Sequence, residues 1–213
     1  MLIDSIKRNS LGLGLFAVLT AGTIAVVQAT TSERINENKV AAATKALAEM
    51  VSADQHDGSF FDHEVALPAG SLNNSGIPYA FQSVKDGKVN AVFLPVITHQ
   101  GYSGDIRVII GVWADGTLAG ARVVEHKETP GLGDKVETRK SNWIMAFTGK
   151  SLGNTNGEEW KVKKDGGEFD QFAGATITPR AVVGAIHNGL EYFAANKDQL
   201  LTLAPKKPAG AKP

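Results

Sequence analysis

The chain has 213 residues, enough for one modest globular unit with appendages. Lysine plus arginine and aspartate plus glutamate number 22 each, so the formal net charge is zero, unlike a nucleic-acid binder with its basic excess on one face. Hydrophobic residues make up 43%, too many for an acidic disordered activator, and the lack of cysteine excludes disulfides, thiolate-held zinc or iron–sulfur clusters, and thiol nucleophiles.

Residues 11–30 read LGLGLFAVLTAGTIAVVQAT, without a charged side chain. As a helix this run spans about 30 Å, the thickness of a bilayer's hydrocarbon layer. Lys7 and Arg8 precede it and favour an inside N-terminus, although Arg34, Lys39 and Lys45 follow on the far side. A cleaved signal peptide is the rival reading, with Val27-Gln28-Ala29 as its small-x-small site; its apolar centre is usually shorter, about 7–15 residues. Both readings place the folded body outside the cytoplasm.

Beyond the span, Ser32–Val51 is predicted to be a helix capped by Ser32. Residues 54–78, rich in Gly, Pro, Asn and Ser, read as irregular. Two hairpins follow, Tyr79–Val84 with Val89–Ile97 and Ile106–Trp113 with Leu118–Glu125, each turning through Asp-Gly. Lys135–Thr148 is predicted helical and Trp160–Val162 a short strand. Thr178-Pro179 opens a last helix, with Thr178 as N-cap, Pro179 in the first turn and Val182, Val183, Ile186, Leu190 and Phe193 as its buried stripe. The Lys/Pro/Ala/Gly tail, 205–213, reads as disordered, with Lys206 and Lys207 merely solubilising. The fold class is α+β: a single spanning helix, then antiparallel hairpins with flanking helices.

Chemistry concentrates in two stretches. Asp170-Gln171-Phe172-Ala173-Gly174-Ala175-Thr176-Ile177-Thr178 is a small-residue turn feeding a helix N-terminus, where free N–H groups and the dipole favour an anion. Glu128-Thr129-Pro130-Gly131-Leu132-Gly133 is a second Gly-rich turn, matching neither a P-loop nor a dinucleotide fingerprint. On physics alone either could be an ordinary capped turn. The histidines are scattered, and Asp62-His63-Glu64 reads as a solvated loop, so no metal site is expected.

Together with Gly101-Tyr102-Ser103-Gly104 and the anchor, these stretches resemble the RnfG family of the Rnf-type ion-translocating electron transport complex. They are also similar to the corresponding component of the sodium-pumping NADH:quinone reductase, through a shared FMN-binding domain. In that family Asp-x-x-(Ser/Thr)-Gly-Ala-Thr signals flavinylation, and FMN is joined through its phosphate to the last threonine. The resemblance implies that Thr176 carries one covalent FMN per chain. Asp170, Ala173, Gly174 and Ala175 complete the motif, with Ala173 replacing the family's Ser or Thr. Thr178 is the neighbouring candidate acceptor, set aside if its hydroxyl caps the helix. Thr129, Gly131 and Leu132, and then Tyr102 and Ser103, are implied walls for the flavin ring. Trp143 could stack on that ring, but on an apolar face it also reads as core.

The resemblance further implies the domain boundaries: 1–10 cytoplasmic, 11–31 transmembrane, 32–78 connecting, 79–204 FMN-binding and 205–213 tail. It implies an electron-relay subunit in the bacterial inner membrane with its main domain periplasmic. Its partners would be the other membrane subunits of the complex and, during maturation, a magnesium-dependent flavin transferase using FAD. A periplasmic structural or assembly module, in which the Thr176 turn is only a cap, and a cleaved soluble flavoprotein shuttle are the alternatives.

Overall fold

The computed structural model describes residues 2–74 and 79–207, and the chain divides into two compact units, 1–41 and 42–213. The described part of the first unit is entirely helical, the beginning of α1 (Leu2–Met50). Leu11, Leu13, Phe16, Leu19, Ile24 and Val27 are all more than half exposed there. Bare apolar surface of this extent marks contact with a non-aqueous phase, and the helix is long and apolar enough to cross a membrane.

The threonines of this stretch obey the same constraint. Hydroxyls of Thr20, Thr23, Thr30 and Thr31 donate back to the carbonyls of Phe16 (2.9 Å), Leu19 (2.8 Å), Val26 (2.9 Å) and Val27 (2.7 Å). Each polar group is thus satisfied inside its own helix, as hydrocarbon surroundings require. This also explains why Ser32 starts no new helix. Nothing interrupts the turns before it, and its hydroxyl points back to Ala29 O at 3.4 Å.

The second unit rests on an antiparallel meander: β1 (Glu64–Ala66), β2 (Tyr79–Lys85), β3 (Lys88–Thr98), β4 (Ile106–Trp113) and β5 (Leu118–Glu125), paired in that order. Both predicted hairpins form. The first turns through Asp86 (φ 50°) and Gly87 (φ 72°), the doubly left-handed pair that a two-residue loop needs. Alternation then sorts the side chains. Val92, Leu94 and Val96 of β3 and Val108, Ile110 and Val112 of β4 face α2 (Ile177–Ala195), whose predicted stripe is buried against them. Phe93, Ile109 and Ala119 face the other way, onto Leu47, Met50 and Val51 at the end of α1. Buried Arg122 of β5 closes that side, donating from Nε to Glu49 Oε2 (2.8 Å) and from Nη2 to the Glu49 carbonyl (3.3 Å). A cation there also satisfies a carbonyl at the helix C-terminus.

Within the segment read as irregular, Glu64–Ala66 pairs with the next strand as β1, and three further elements differ from expectation. The predicted helix over 135–148 is instead two 3₁₀ turns, Gly133–Val136 and Trp143–Phe147. Ile144 and Phe147 stand three apart, so one tight turn buries both. The Ser141 hydroxyl separates the turns, donating to Lys135 O (2.6 Å) and accepting from Trp143 N–H (3.2 Å). Trp160–Val162 is not a strand: Val162 makes one isolated bridge to Phe169, and Trp160 is buried beside Phe147 and Phe169. Its apolar character serves aromatic packing, not strand pairing.

The third is the tail, whose described part is ordered along β1. After α3 (Lys197–Leu201), Lys206 bridges His63 and pairs with Asp62 (3.1 Å), and Lys207 pairs with Glu64 (2.9 Å). Residues 208–213 of the predicted tail lie outside the described residues. Gln82, 1% exposed, anchors the segment: Nε2 donates to Leu200 O and Thr202 O (both 2.8 Å), and Oε1 accepts from Ala204 N–H (2.9 Å). Gln82→Leu strands these backbone groups and should cost about 2–4 kcal/mol. The expected readout is a lower urea midpoint for the detergent-solubilised chain and faster tryptic cleavage after Lys206.

Candidate functional site

The register of the meander assembles the site. Thr98 at the end of β3 pairs with Ile106 at the start of β4, and Arg107 pairs with Glu125 at the end of β5. The 99–105 loop and the chain leaving β5 therefore emerge at the same end of the sheet. The first turn of α2 reaches this end as well, and all three meet at one side chain, Glu128.

Glu128 is 4% exposed. Its Oε1 accepts the Ser103 backbone N–H at 2.9 Å, and its Oε2 accepts the Thr178 hydroxyl in a short hydrogen bond. Its own backbone N–H donates to Nδ1 of His126 at 3.0 Å, which leaves the imidazole proton on Nε2, facing Glu137 Oε1 at 2.8 Å. Arg139 binds the other oxygen of Glu137 at 2.8 Å. Burial pushes the Glu137 carboxyl up, but the hydrogen bonds from His126 and Arg139 and the charge of Arg139 outweigh it and hold the group below its ordinary value.

Two glycines are required by this crowding. A Cβ at Gly133 would lie 2.7 Å from Thr178 Oγ1 and 2.9 Å from Glu128 Oε2. One at Gly101 would lie 2.2 Å from the Gly104 carbonyl and 3.0 Å from Glu128 Oε1. The loops close on the carboxylate only because neither residue has a side chain.

The sequence-derived residues fall into two groups around this joint. Thr178 is 1% exposed and bonded to Glu128, not to helix N–H groups. The cap prediction is thereby corrected: α2 starts at Ile177, Thr176 occupies the cap position, and Pro179 is third in the helix. At that position its missing N–H is still one that would lack an intrahelical partner. Thr176 has helical dihedrals (φ −73°, ψ −27°), is half-buried, and makes no side-chain capping bond. Thr129 is exposed, and its carbonyl accepts from Leu132 and Gly133 N–H, both at 3.1 Å. Gly131 N–H donates to buried Asp134 at 2.8 Å.

The rest of the motif is held separately. Asp170 pairs with Lys163 (2.7 Å), and its carbonyl accepts the Trp143 indole N–H (2.7 Å). Trp143 packs edge-on against Phe147 and Phe172, so it supports the motif loop from beneath. Ala173 and Gly174 are exposed, Gly174 at φ 76°, and Ala175 N–H closes the turn on Phe172 O at 3.1 Å. Arg180 clamps Asp165 through Nε (2.6 Å) and Nη2 (2.9 Å), binding the first turns of α2 to the preceding loop.

Sequence reasoning missed Glu128 as a site residue, and Ile177. Tyr102 (70% exposed), Leu132 (43%) and Ile177 (44%) each adjoin a residue of the Glu128 joint. Each therefore leaves apolar surface exposed next in sequence to the joint.

Gly133→Ala should destabilise the chain by about 1–3 kcal/mol through overpacking, seen as a lowered Tm. Protonation of Glu137 gives a second test. Its folded-state value is depressed, so its contribution is complete above the ordinary carboxylate range and lost as pH falls through the lower folded value. The Tm difference between wild type and Glu137→Gln should therefore shrink on acidification through that window.

Residues 101–191 match the FMN-binding domain family, and residues 1–50 match the RnfG N-terminal region. Fold and site thus define an FMN-binding-domain protein with an apolar N-terminal helix. Over 207 residues the chain is 48% identical to the RnfG-type component of the ion-translocating oxidoreductase complex of Pseudomonas aeruginosa, covering 97% of this chain and 96% of that protein. Proteins of the same name match at 40% over 200 residues in Vibrio atlanticus (94% and 96% covered) and 39% over 198 residues in Shewanella loihica (92% and 93%). The chain belongs to this RnfG family of ion-translocating oxidoreductase complexes.

Proposed function

We propose that this chain is the electron-relay subunit of a Rnf-type ion-translocating complex and carries one FMN joined by a phosphodiester to Thr176. The observation that carries the assignment is the contrast between two threonines. Thr178 is buried and committed to Glu128, whereas Thr176 is only half-buried as a residue and its hydroxyl makes no capping bond. An attaching enzyme needs an accessible oxygen.

The surroundings fit the group. The N–H groups of Ile177 and Thr178 have no intrahelical partner, so a phosphodiester beside Thr176 gains about 0.3–1 kcal/mol from the helix N-terminus. Tyr102, Leu132 and Ile177 offer apolar contact to an isoalloxazine, and Thr129 and Gly131 shape the loop beside it. FMN, when bound, supplies the one- and two-electron chemistry; the chain positions it and tunes its surroundings. A threonine hydroxyl is a weak nucleophile without an activating base. Attachment therefore belongs to a flavin transferase with FAD as donor. The Thr176 oxygen bonds to the FMN phosphorus, the diphosphate bond breaks, AMP leaves, and the hydroxyl proton passes to the transferase.

The exposed apolar run of α1 supports a single span of the inner membrane, and Lys7 and Arg8 support a periplasmic main domain. With no cysteine to hold a cluster, the chain exchanges electrons with the other membrane subunits of the complex.

Co-expression with the transferase, followed by intact mass and in-gel flavin fluorescence, tests the assignment. Wild type and Thr178→Val should each gain one FMN, and Thr176→Ala none; the reverse pattern would move the attachment to Thr178. Because the chain lacks cysteine, Asn156→Cys labelled in whole cells by a membrane-impermeant maleimide reads which side the domain occupies.

A further inference from the structure

We infer that Glu128 is the positioning residue of the flavin site: its buried carboxylate locks the 101–104 loop, the 128–133 loop and the first turn of α2 into one rigid platform. The inference rests on the FMN reading above and concerns how the ring is held, not where it is attached.

A buried carboxylate is costly unless its oxygens are satisfied. Among the described residues no ion pair is formed by Glu128, so two hydrogen bonds do that work. One comes from the backbone of Ser103 and the other from the hydroxyl of Thr178. Hydrogen bonds to an ionised acceptor are about twice as strong as neutral ones. Each also ties a different segment to the third, which carries Glu128 itself. His126 fixes that third segment by accepting the Glu128 N–H at 3.0 Å.

The consequence falls on the neighbours. Tyr102 lies between Gly101 and Ser103, Leu132 precedes Gly133, and Ile177 precedes Thr178. Tyr102 and Ile177 are thus each one position from a group bonded to the carboxylate, and Leu132 is one position from a glycine whose missing side chain leaves the carboxylate its room. Removing the carboxylate frees three contact surfaces at once while leaving the Thr176 oxygen untouched. Glu128→Gln keeps one acceptor oxygen and an amide of the same shape, so it should restore part of the platform.

The test compares full-length wild type, Glu128→Ala, Glu128→Gln and Thr178→Val in detergent, with and without the transferase. Wild-type FMN load by intact mass is read first, because its absence sinks the attachment reading without touching the loop joint. Hydrogen exchange then tests the joint itself. In Glu128→Ala, exchange at the Ser103 amide should rise about tenfold or more, the factor a lost charge-assisted hydrogen bond carries, while amides of β3 and β4 stay protected. In loaded protein, Glu128→Ala should keep the adduct but lose most of the circular dichroism induced in the flavin bands, and Glu128→Gln should recover part of it. Should Glu128→Ala not fold, Thr178→Val decides: it should weaken the flavin dichroism while Ser103 stays protected. Wild-type dichroism in whichever variant decides, or unchanged Ser103 exchange in Glu128→Ala, overturns the inference.

Discussion

A carboxylate taken out of water without a cation must be repaid by hydrogen bonds, and at Glu128 each of those bonds comes from a different piece of chain. That requirement organises the whole functional end of the domain. The sheet register brings the loops within reach, the glycines at 101 and 133 allow them to close, and the first turn of α2 supplies the remaining donor. None of the loops has a core of its own. Their order derives from a single polar joint standing on a rigid sheet, so binding surface is carried by irregular chain without the looseness such chain usually has.

The same joint explains why two threonines in one short stretch have opposite fates. At about 100° per residue, positions 176 and 178 point roughly 200° apart around the helix axis. Once Thr178 faces inward to Glu128, Thr176 must face away from it. Pro179 contributes by entering the helix where no N–H is needed, so the turn can tighten against the sheet with no donor lost. Helical geometry alone thus separates a buried structural hydroxyl from the one proposed to carry FMN.

Much of this was legible from the residues. Asp-Gly between apolar runs located both hairpins, and i, i+4 spacing gave the buried face of α2, because period and turn chemistry are local properties. The failures share one cause: they lie where non-local contacts decide. Trp143, Ile144 and Phe147 suit a helical stripe, yet a short 3₁₀ segment buries Ile144 and Phe147 against the sheet and the aromatic cluster and leaves Trp143 half-buried. Trp160 and Val162 suit a strand but serve that cluster. Glu128 stands in a Gly-rich turn with nothing local to mark it as buried. Only the chain's return at Ser103 and Thr178 makes it buried. The contacts that hold the motif's surroundings still are of the same non-local kind.

The sheet's edges bear on the same end of the domain. An uncovered edge strand invites pairing with another chain, and both outer strands here are partly covered from within. The C-terminal segment lies along β1 through Gln82 and the Lys206 and Lys207 pairs. Gly149 and Lys150 pair with Leu118 at the start of β5. One face of the sheet is filled by α2 and the other by the end of α1. With faces and edges occupied, the loops at the Glu128 end keep large apolar side chains at the surface while their backbones are fixed. A domain that must hold a flat prosthetic group and still let electrons reach it needs this combination. A deep cavity would isolate the ring, and a mobile loop would fail to orient it. Under the proposed attachment at Thr176, exposed apolar side chains beside a rigid joint would do neither.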